Sequence, residues 1–244
     1  MMQGACKKFG NVMHKITTFT RKNHGMAALQ QAAMDQERCI LVDKQDKSIG
    51  EATKEFCHKI DEQGSLPLHR AFSCFLFNNK GDLLLQKRSK NKITFPDLFT
   101  NTCCSHPLAN IPSEKEEKNA MGVRRAVIRR LNYELGIPTD ELKPEDTFYL
   151  TRIHYILKSN PHWGEHEIDY LIFVQKDVTV NPNPDEVSEI RWLPRSEIED
   201  LIKSTIPLTP WFRLIYEYKL LHWWDNLHNL NKMQDLKSIT RLSI

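Results

Sequence analysis

Two short stretches concentrate the groups able to do chemistry: Asn101-Thr102-Cys103-Cys104-Ser105-His106-Pro107, and Trp163-Gly164-Glu165-His166-Glu167-Ile168-Asp169-Tyr170. In an extended segment alternate side chains share a face, so Glu165 and Glu167 are expected to project together. Two adjacent carboxylates need a cation or a shared proton, which points to chemistry rather than packing. With a cysteine and a histidine in the other stretch, the pair reads as a metal site facing a thiol. Taken one at a time these residue types are weak signals. A lone histidine is more often a satisfied core or surface group, and His14, His24, His154, His162, His166, His222 and His228 are read that way. A single cysteine is more often an inert buried side chain, the reading given to Cys103.

The 244 residues are 40% hydrophobic and 27% charged, an ordinary composition for one sizeable globular domain. The net charge of +3 misleads. The first 34 residues hold Lys7, Lys8, Lys15, Arg21 and Lys22 with no acid before Asp35, which leaves 29 of the 34 basic residues against 31 acids downstream. That near-neutral body offers no cationic surface for nucleic acid. The basic, Thr-rich start resembles a mitochondrial presequence more than a secretory signal, with an unread N-terminal tail as the alternative. No apolar run nears the roughly 18 to 20 residues of a membrane span, so no membrane partner is expected. Six cysteines without a C-x-x-C pair do not form a secreted disulfide framework, which indicates a reducing, intracellular compartment. Mitochondrion, cytoplasm and peroxisome all stay open, although Arg241-Leu242-Ser243-Ile244 does not match an S-K-L ending.

Periodicity supplies the elements that must position these groups. Met26 to Arg38 is expected as a short helix leading into a buried strand at Cys39 to Asp43. Ala71 to Phe77 and Leu83 to Lys87 flank Asn78-Asn79-Lys80-Gly81-Asp82 and read as a β-hairpin. Ser113 and Glu116 form a capping-box pattern, after which Val123, Val127, Leu131 and Leu135 recur at helical spacing until Gly136 and Pro138. Strands are expected at about 147–157, 167–175 and 189–193. Thr209-Pro210 starts a last helix over Trp211 to Leu227, in which spacing alone makes Trp211 a core residue. Strands on both sides of a central helix indicate an α/β sandwich with one body over 35–233, a basic extension at 1–34 and a C-terminal tail at 234–244.

The end of the central helix, Arg129-Arg130-Leu131-Asn132-Tyr133-Glu134-Leu135-Gly136-Ile137, resembles the closing half of the Nudix box. Arg129, Leu131, Glu134, Gly136 and Ile137 fit, while other glutamate positions hold Met121, Arg130 and Tyr133. Hydrolysis of that class needs several carboxylates around divalent ions. That departure, joined to the two opening stretches, resembles the type 1 isopentenyl-diphosphate isomerases over roughly Gln36 to Asn229. Cys57-His58, Leu68-His69-Arg70-Ala71-Phe72-Ser73, Ile93-Thr94-Phe95-Pro96 and Thr209-Pro210-Trp211-Phe212 belong to the same resemblance.

The resemblance implies a Nudix-like α/β/α sandwich with a mixed β-sheet, acting on a prenyl diphosphate as a monomer. It implies that His58, His69, His106, Glu165 and Glu167 hold one divalent metal; three imidazoles and two carboxylates suit six-coordinate Mg2+ or Mn2+, with Zn2+ also able to bind. Glu167, assisted by Tyr155, would protonate the alkene, and Cys104 would remove a proton as thiolate, kept ionised by metal and nearby cations. Trp211 would face the carbocation. Lys54, Arg88, Lys92 and Arg130 would grip the diphosphate, with Glu134 holding a bridging Mg2+. The expected reaction is interconversion of isopentenyl and dimethylallyl diphosphate in isoprenoid, including sterol, biosynthesis. Its rivals are a Nudix hydrolase and a diphosphate-binding protein without catalysis.

Overall fold

The computed structural model describes residues 24–243. The basic side chains of the N-terminal extension, Lys7 through Lys22, lie outside the described residues. The elements run α1 (His24–Gln36), β1 (Arg38–Val42), β2 (Ser48–Thr53), α2 (Lys54–His58), β3 (His69–Phe77), β4 (Leu83–Arg88), β5 (Phe99–Thr100), β6 (Cys103–Ser105), α3 (Met121–Leu135), β7 (Thr147–Lys158), β8 (Gly164–Gln175), β9 (Val187–Leu193), α4 (Ile198–Lys203), α5 (Pro210–Ile215), α6 (Leu221–Trp224) and β10 (Ile239–Arg241). The main path of the sheet is β10-β7-β8-β3-β1-β2, with β4, β5, β6 and β9 branching from it. It is mixed: β8 runs parallel to β3 and β10 parallel to β7, while β7 and β8 are antiparallel.

Alternation along β3 builds two cores. Phe75 and Phe77 pack with Phe173, Phe212, Trp223 and Trp224 on the side of the C-terminal helices. Phe72, Cys74 and Leu76 pack with Val123, Val127, Leu131 and Leu135 of α3 on the other. β3 is buried along its whole length, as expected for a strand covered by helices on both faces. The result is the α/β/α sandwich with a mixed sheet that the sequence suggests.

Local differences have physical causes. The expected hairpin pairs only at Phe77 and Leu83, because β3 bonds to β8 and β6 while β4 diverges to β9 and β5. The Ser113/Glu116 pattern does not start α3. Pro112–Lys115 and Lys118–Ala120 form 3-10 turns, and Ala120, at φ 55°, precedes the helix without a side-chain cap. The last helix is interrupted by a π-helical segment, Tyr216–Leu220, and the Thr209 hydroxyl donates to Thr100 Oγ1 instead of capping. The segment expected as a tail contributes β10 to the sheet, and α1 runs through the expected boundary at residue 35.

Gly136 ends α3 at φ 63°, donating its N–H to Asn132, while Ile137 N–H reaches back to Leu131. A Cβ there would sit 2.2 Å from the Asn181 carbonyl oxygen. Gly136→Ala is expected to lower unfolding stability by about 2 kcal/mol or more, measured by denaturant titration; an unchanged midpoint would refute this account of the helix end.

Candidate functional site

Register across three strands brings the opening carboxylates to their partners. Tyr155 of β7 lies opposite Glu167 of β8, and Glu167 lies opposite His69 of β3. Leu157 faces Glu165 in the same ladder. His58 arrives from the end of α2, whose first turn is capped by the Thr53 hydroxyl accepting from Phe56 N–H. His106 follows β6 directly.

His58, His69, His106, Glu165 and Glu167 each offer a ligand atom, all within 4.8 Å of one another, and all five are buried. The His58 Nδ1–H donates to the Lys54 carbonyl at 2.7 Å and the His69 Nδ1–H to the Pro67 carbonyl at 2.9 Å. A carbonyl only accepts, so both rings turn Nε2 toward the cluster, the usual outer-shell orientation of a metal-binding imidazole. His58 Nε2 lies 2.8 Å from Glu165 Oε2, and His69 Nε2 lies 3.4 Å from Glu167 Oε1. Yet Glu165 Oε2 and His69 Nε2 have no aligned hydrogen-bond partner. Atoms that are close but not aligned with each other fit a set aimed at a common third point. The donor set suits a divalent metal.

Electrostatics fit the same reading. Burial opposes charge on His69, but Glu167 outweighs it and raises the pKa to about 9. Glu165 likewise raises His58 against the effect of burial. His106, desolvated and beside the other two rings, is pushed well below the imidazole range. Glu167 is lowered, since hydrogen bonding and attraction from His69 outweigh its burial. Its two oxygens have different partners: Oε1 faces His106 at 2.9 Å, and Oε2 accepts from the Tyr155 hydroxyl at 2.5 Å.

Cys104 stands opposite Ser73 in the β3–β6 ladder. Its thiol donates to Asn101 Oδ1 at 3.1 Å, and its sulfur accepts from the Trp211 indole N–H at 3.2 Å. Asn101 is fixed in turn by donating its amide to the carbonyls of Cys74 and Cys103. The resemblance casts Cys104 as a thiolate supported by metal and cations, and the protein groups around it bear on that charge in both directions. Burial and the nearby Asp169 push the Cys104 thiol up to about 12, more than Ser73, Arg88 and Asn101 lower it. Cys103 points into the α3 side of the core, consistent with an inert role. Ser73 donates to Asp169 Oδ2 at 2.7 Å, and burial followed by Glu167 pushes that carboxyl well above its ordinary range.

The cations expected to grip phosphate occupy the same pocket, about 600 Å³ including space open to solvent. It is lined by Lys54, Arg88, Lys92 and Arg130 together with Cys104, Tyr155, Glu165, Glu167 and Trp211. The Arg88 guanidinium bonds to the carbonyls of Phe95 and Thr94 and lies 5.4 Å from the centre of the Trp211 ring. The other three are ion-paired. Lys54 pairs with Glu37 at 2.7 Å, Lys92 with Glu186 at 2.5 Å, and Arg130 with both Glu134 at 2.5 Å and Glu186 at 3.2 Å. Glu134 also accepts from Gln86 at 2.9 Å, so its carboxylate is buried but bonded. Tyr133, at a Nudix glutamate position, is 45% exposed and turned outward. Sequence reasoning missed Glu37, Ser73, Asp169 and Glu186. Asp169 was the most accessible of these, since it shares the alternation that made Glu165 and Glu167 informative. Two of the seven histidines set aside, His154 and His166, hold each other at 3.0 Å, with His166 donating to the Leu66 carbonyl.

A NUDIX domain model matches residues 67–212. Isopentenyl-diphosphate Delta-isomerase 1 of Bos taurus is 52% identical over 217 residues, covering 87% of this chain and 95% of that protein. Isopentenyl-diphosphate Delta-isomerase I of Camptotheca acuminata is 45% identical over 227 residues, covering 89% and 96%. Among solved structures, a Deinococcus radiodurans protein superposes with a TM-score of 0.52 at 18% identity, covering 78% of this chain and 98% of its own, which speaks to fold alone. With a buried three-histidine, two-glutamate cluster beside the thiol and identity of this extent over nearly the whole of its relatives, the chain belongs to the isopentenyl-diphosphate Delta-isomerase family of Nudix-domain proteins.

Proposed function

We propose that this protein interconverts isopentenyl diphosphate and dimethylallyl diphosphate in isoprenoid biosynthesis, sterol precursors included. The observation that carries the reading is one pocket lined by a thiol, a Tyr-bonded carboxylate and four cations. A hydrolase would need more carboxylates on α3 than Glu134, and Arg130 and Tyr133 stand where they would be.

An unactivated alkene is a poor base, so the proton donor must be held close and away from water. Glu167 meets that requirement: it is buried, fixed through Oε1 by the histidine cluster, and joined through Oε2 to Tyr155, which can share or pass its proton. Protonating the terminal carbon leaves a tertiary carbocation. Trp211 is positioned by its N–H bonds to Cys104 and Asn101 to turn its π-system toward that charge, an interaction worth about 2 kcal/mol or more when desolvated. The Cys104 sulfur then takes a proton from the neighbouring carbon. Turnover therefore exchanges proton ownership, from protonated Glu167 with ionised Cys104 to ionised Glu167 with a thiol.

His58, His69, His106, Glu165 and Glu167 would hold a divalent ion, whose positive charge would offset the two carboxylates. Mg2+, Mn2+ and Zn2+ all suit the donors. Glu134 would hold a second ion, Mg2+, that would offset diphosphate charge, and Lys54, Arg88, Lys92 and Arg130 would donate to the phosphate oxygens. All of these groups come from one chain, which supports activity as a monomer. The free state of Cys39, Cys57, Cys74, Cys103 and Cys104 supports a reducing compartment. Among the described residues no helix is long and apolar enough to cross a membrane.

Incubation with isopentenyl diphosphate and Mg2+ in heavy water should give dimethylallyl diphosphate carrying deuterium. Release of inorganic phosphate instead would support hydrolysis, and binding without exchange would support a non-catalytic protein. Cys104→Ala and Glu167→Gln should each cut turnover by roughly a thousandfold or more with the fold intact by circular dichroism, and near-normal rates would remove that residue from the mechanism. The metal site gives a pH test. The folded pKa of His69 lies above the ordinary 6.5, so its stabilising contribution to the metal-free protein is fully present below pH 6.5 and lost as pH rises to about 9. Metal must displace that proton. Zn2+ or Mn2+ uptake at pH 7.5 should release protons in calorimetry run in buffers of different ionisation enthalpy, and the metal-free protein should lose stability between pH 6.5 and 9. A proton-neutral uptake would rule out the His69 assignment.

A further inference from the structure

Acids among the phosphate-gripping cations are the unexplained part of the pocket. A site that only had to hold an anion would gain from unopposed donors. Here Glu37 holds Lys54, and Glu186 holds both Lys92 and Arg130. Glu186 is 5% exposed and gathers donors from three parts of the chain, accepting also from the Gln30 amide of α1 at 2.7 Å. Of the three carboxylates at this end, only Glu134 has a role in the reading above.

Counting fixed charges gives them one. Lys54, Arg88, Lys92 and Arg130 supply four positive charges against three from Glu37, Glu134 and Glu186, leaving a net charge of one positive. A free diphosphate monoester carries roughly three negative charges near neutral pH, and roughly one when a divalent cation is bound to it. The pocket matches the second form. We propose that Glu186 is a specificity-determining residue, a fixed buried counter-charge that makes the phosphate end accept a diphosphate together with its divalent cation and disfavour the uncomplexed anion. Burial opposes its charge, but Lys92 and Arg130 hold the carboxyl well below the usual range, so the counter-charge is permanent at physiological pH. Glu186 is better placed for this than Glu37, because it bridges two of the cations while Glu37 reaches Arg130 only at 3.9 Å. The inference rests on the diphosphate reading of the pocket.

The test uses the full chain and inorganic pyrophosphate, titrated calorimetrically with excess Mg2+ and again with EDTA. The wild type should bind the Mg2+ form at least tenfold more tightly than the free anion. Glu186→Gln should shrink that ratio by at least tenfold, mainly by tightening the free anion, and Glu186→Asp should keep the wild-type ratio. An unchanged ratio in Glu186→Gln, equal weakening of both forms, or an Asp variant that shifts as far as Gln would overturn the assignment. Should Glu186→Gln not fold, Glu37→Gln removes a neighbouring counter-charge and must shift the ratio in the same direction for the proposal to stand. If the wild type binds neither form, the diphosphate reading itself fails.

Discussion

Five ionisable side chains with almost no access to water, three of them imidazoles and two carboxylates, cannot satisfy one another at the centre of this fold. Taking a carboxylate out of water costs several kcal/mol unless charge and hydrogen bonds are returned to it. Within the protein that return is incomplete, since His69 Nε2 and Glu165 Oε2 find no aligned partner. Most of the architecture follows from keeping this cluster together. The parallel ladder sets His69 against Glu167, α2, capped at its start by Thr53, carries His58 as its last residue, and the backbone carbonyls of Lys54 and Pro67 orient two rings. A sheet covered on both faces supplies the dry surroundings of the cluster.

The two ends of the pocket solve opposite problems with the same sheet. Toward β3 and β8, Cys104 is half-buried among Ser73, Asn101 and the Trp211 indole. Toward α3, charge is dense but nearly cancelled, with Arg130 between Glu134 and Glu186. Arg88 joins them, because its guanidinium is fixed by loop carbonyls and its face lies over Trp211. A shift of the Arg88 side chain would thereby be felt at the Trp211 ring.

Much of this was legible in the sequence, and what was not has a common cause. α3 could be read because Val123, Val127, Leu131 and Leu135 repeat at helical spacing and Gly136 takes a conformation few other residues tolerate. Glu165 and Glu167 could be read because alternation is local. The three histidines gained meaning only through resemblance, since 48 residues separate His58 from His106. Glu186 was invisible for the same reason: its partners lie 94 and 56 residues away, and a lone Glu after Asn183-Pro184-Asp185 looks like a solvated loop. The hairpin was misread because turn chemistry at Asn78–Asp82 fixes a reversal of the chain but not which strands it then pairs with. Local pattern likewise could not foresee that, beyond burial, Asp169 in a different strand would lie close enough to raise the Cys104 thiol.

The short strand at Ile239–Arg241 bonds to Arg152, Ile153 and His154, next to Tyr155 on a twelve-residue strand. Without it, the backbone at Arg152–His154, the middle of a strand rich in β-branched and aromatic residues, would be open to another extended chain. Three residues near the carboxyl terminus thus serve as a guard against self-association, and colonies making a protein truncated before Ser238 would be expected to gather it in inclusion bodies even though every reactive group is still encoded.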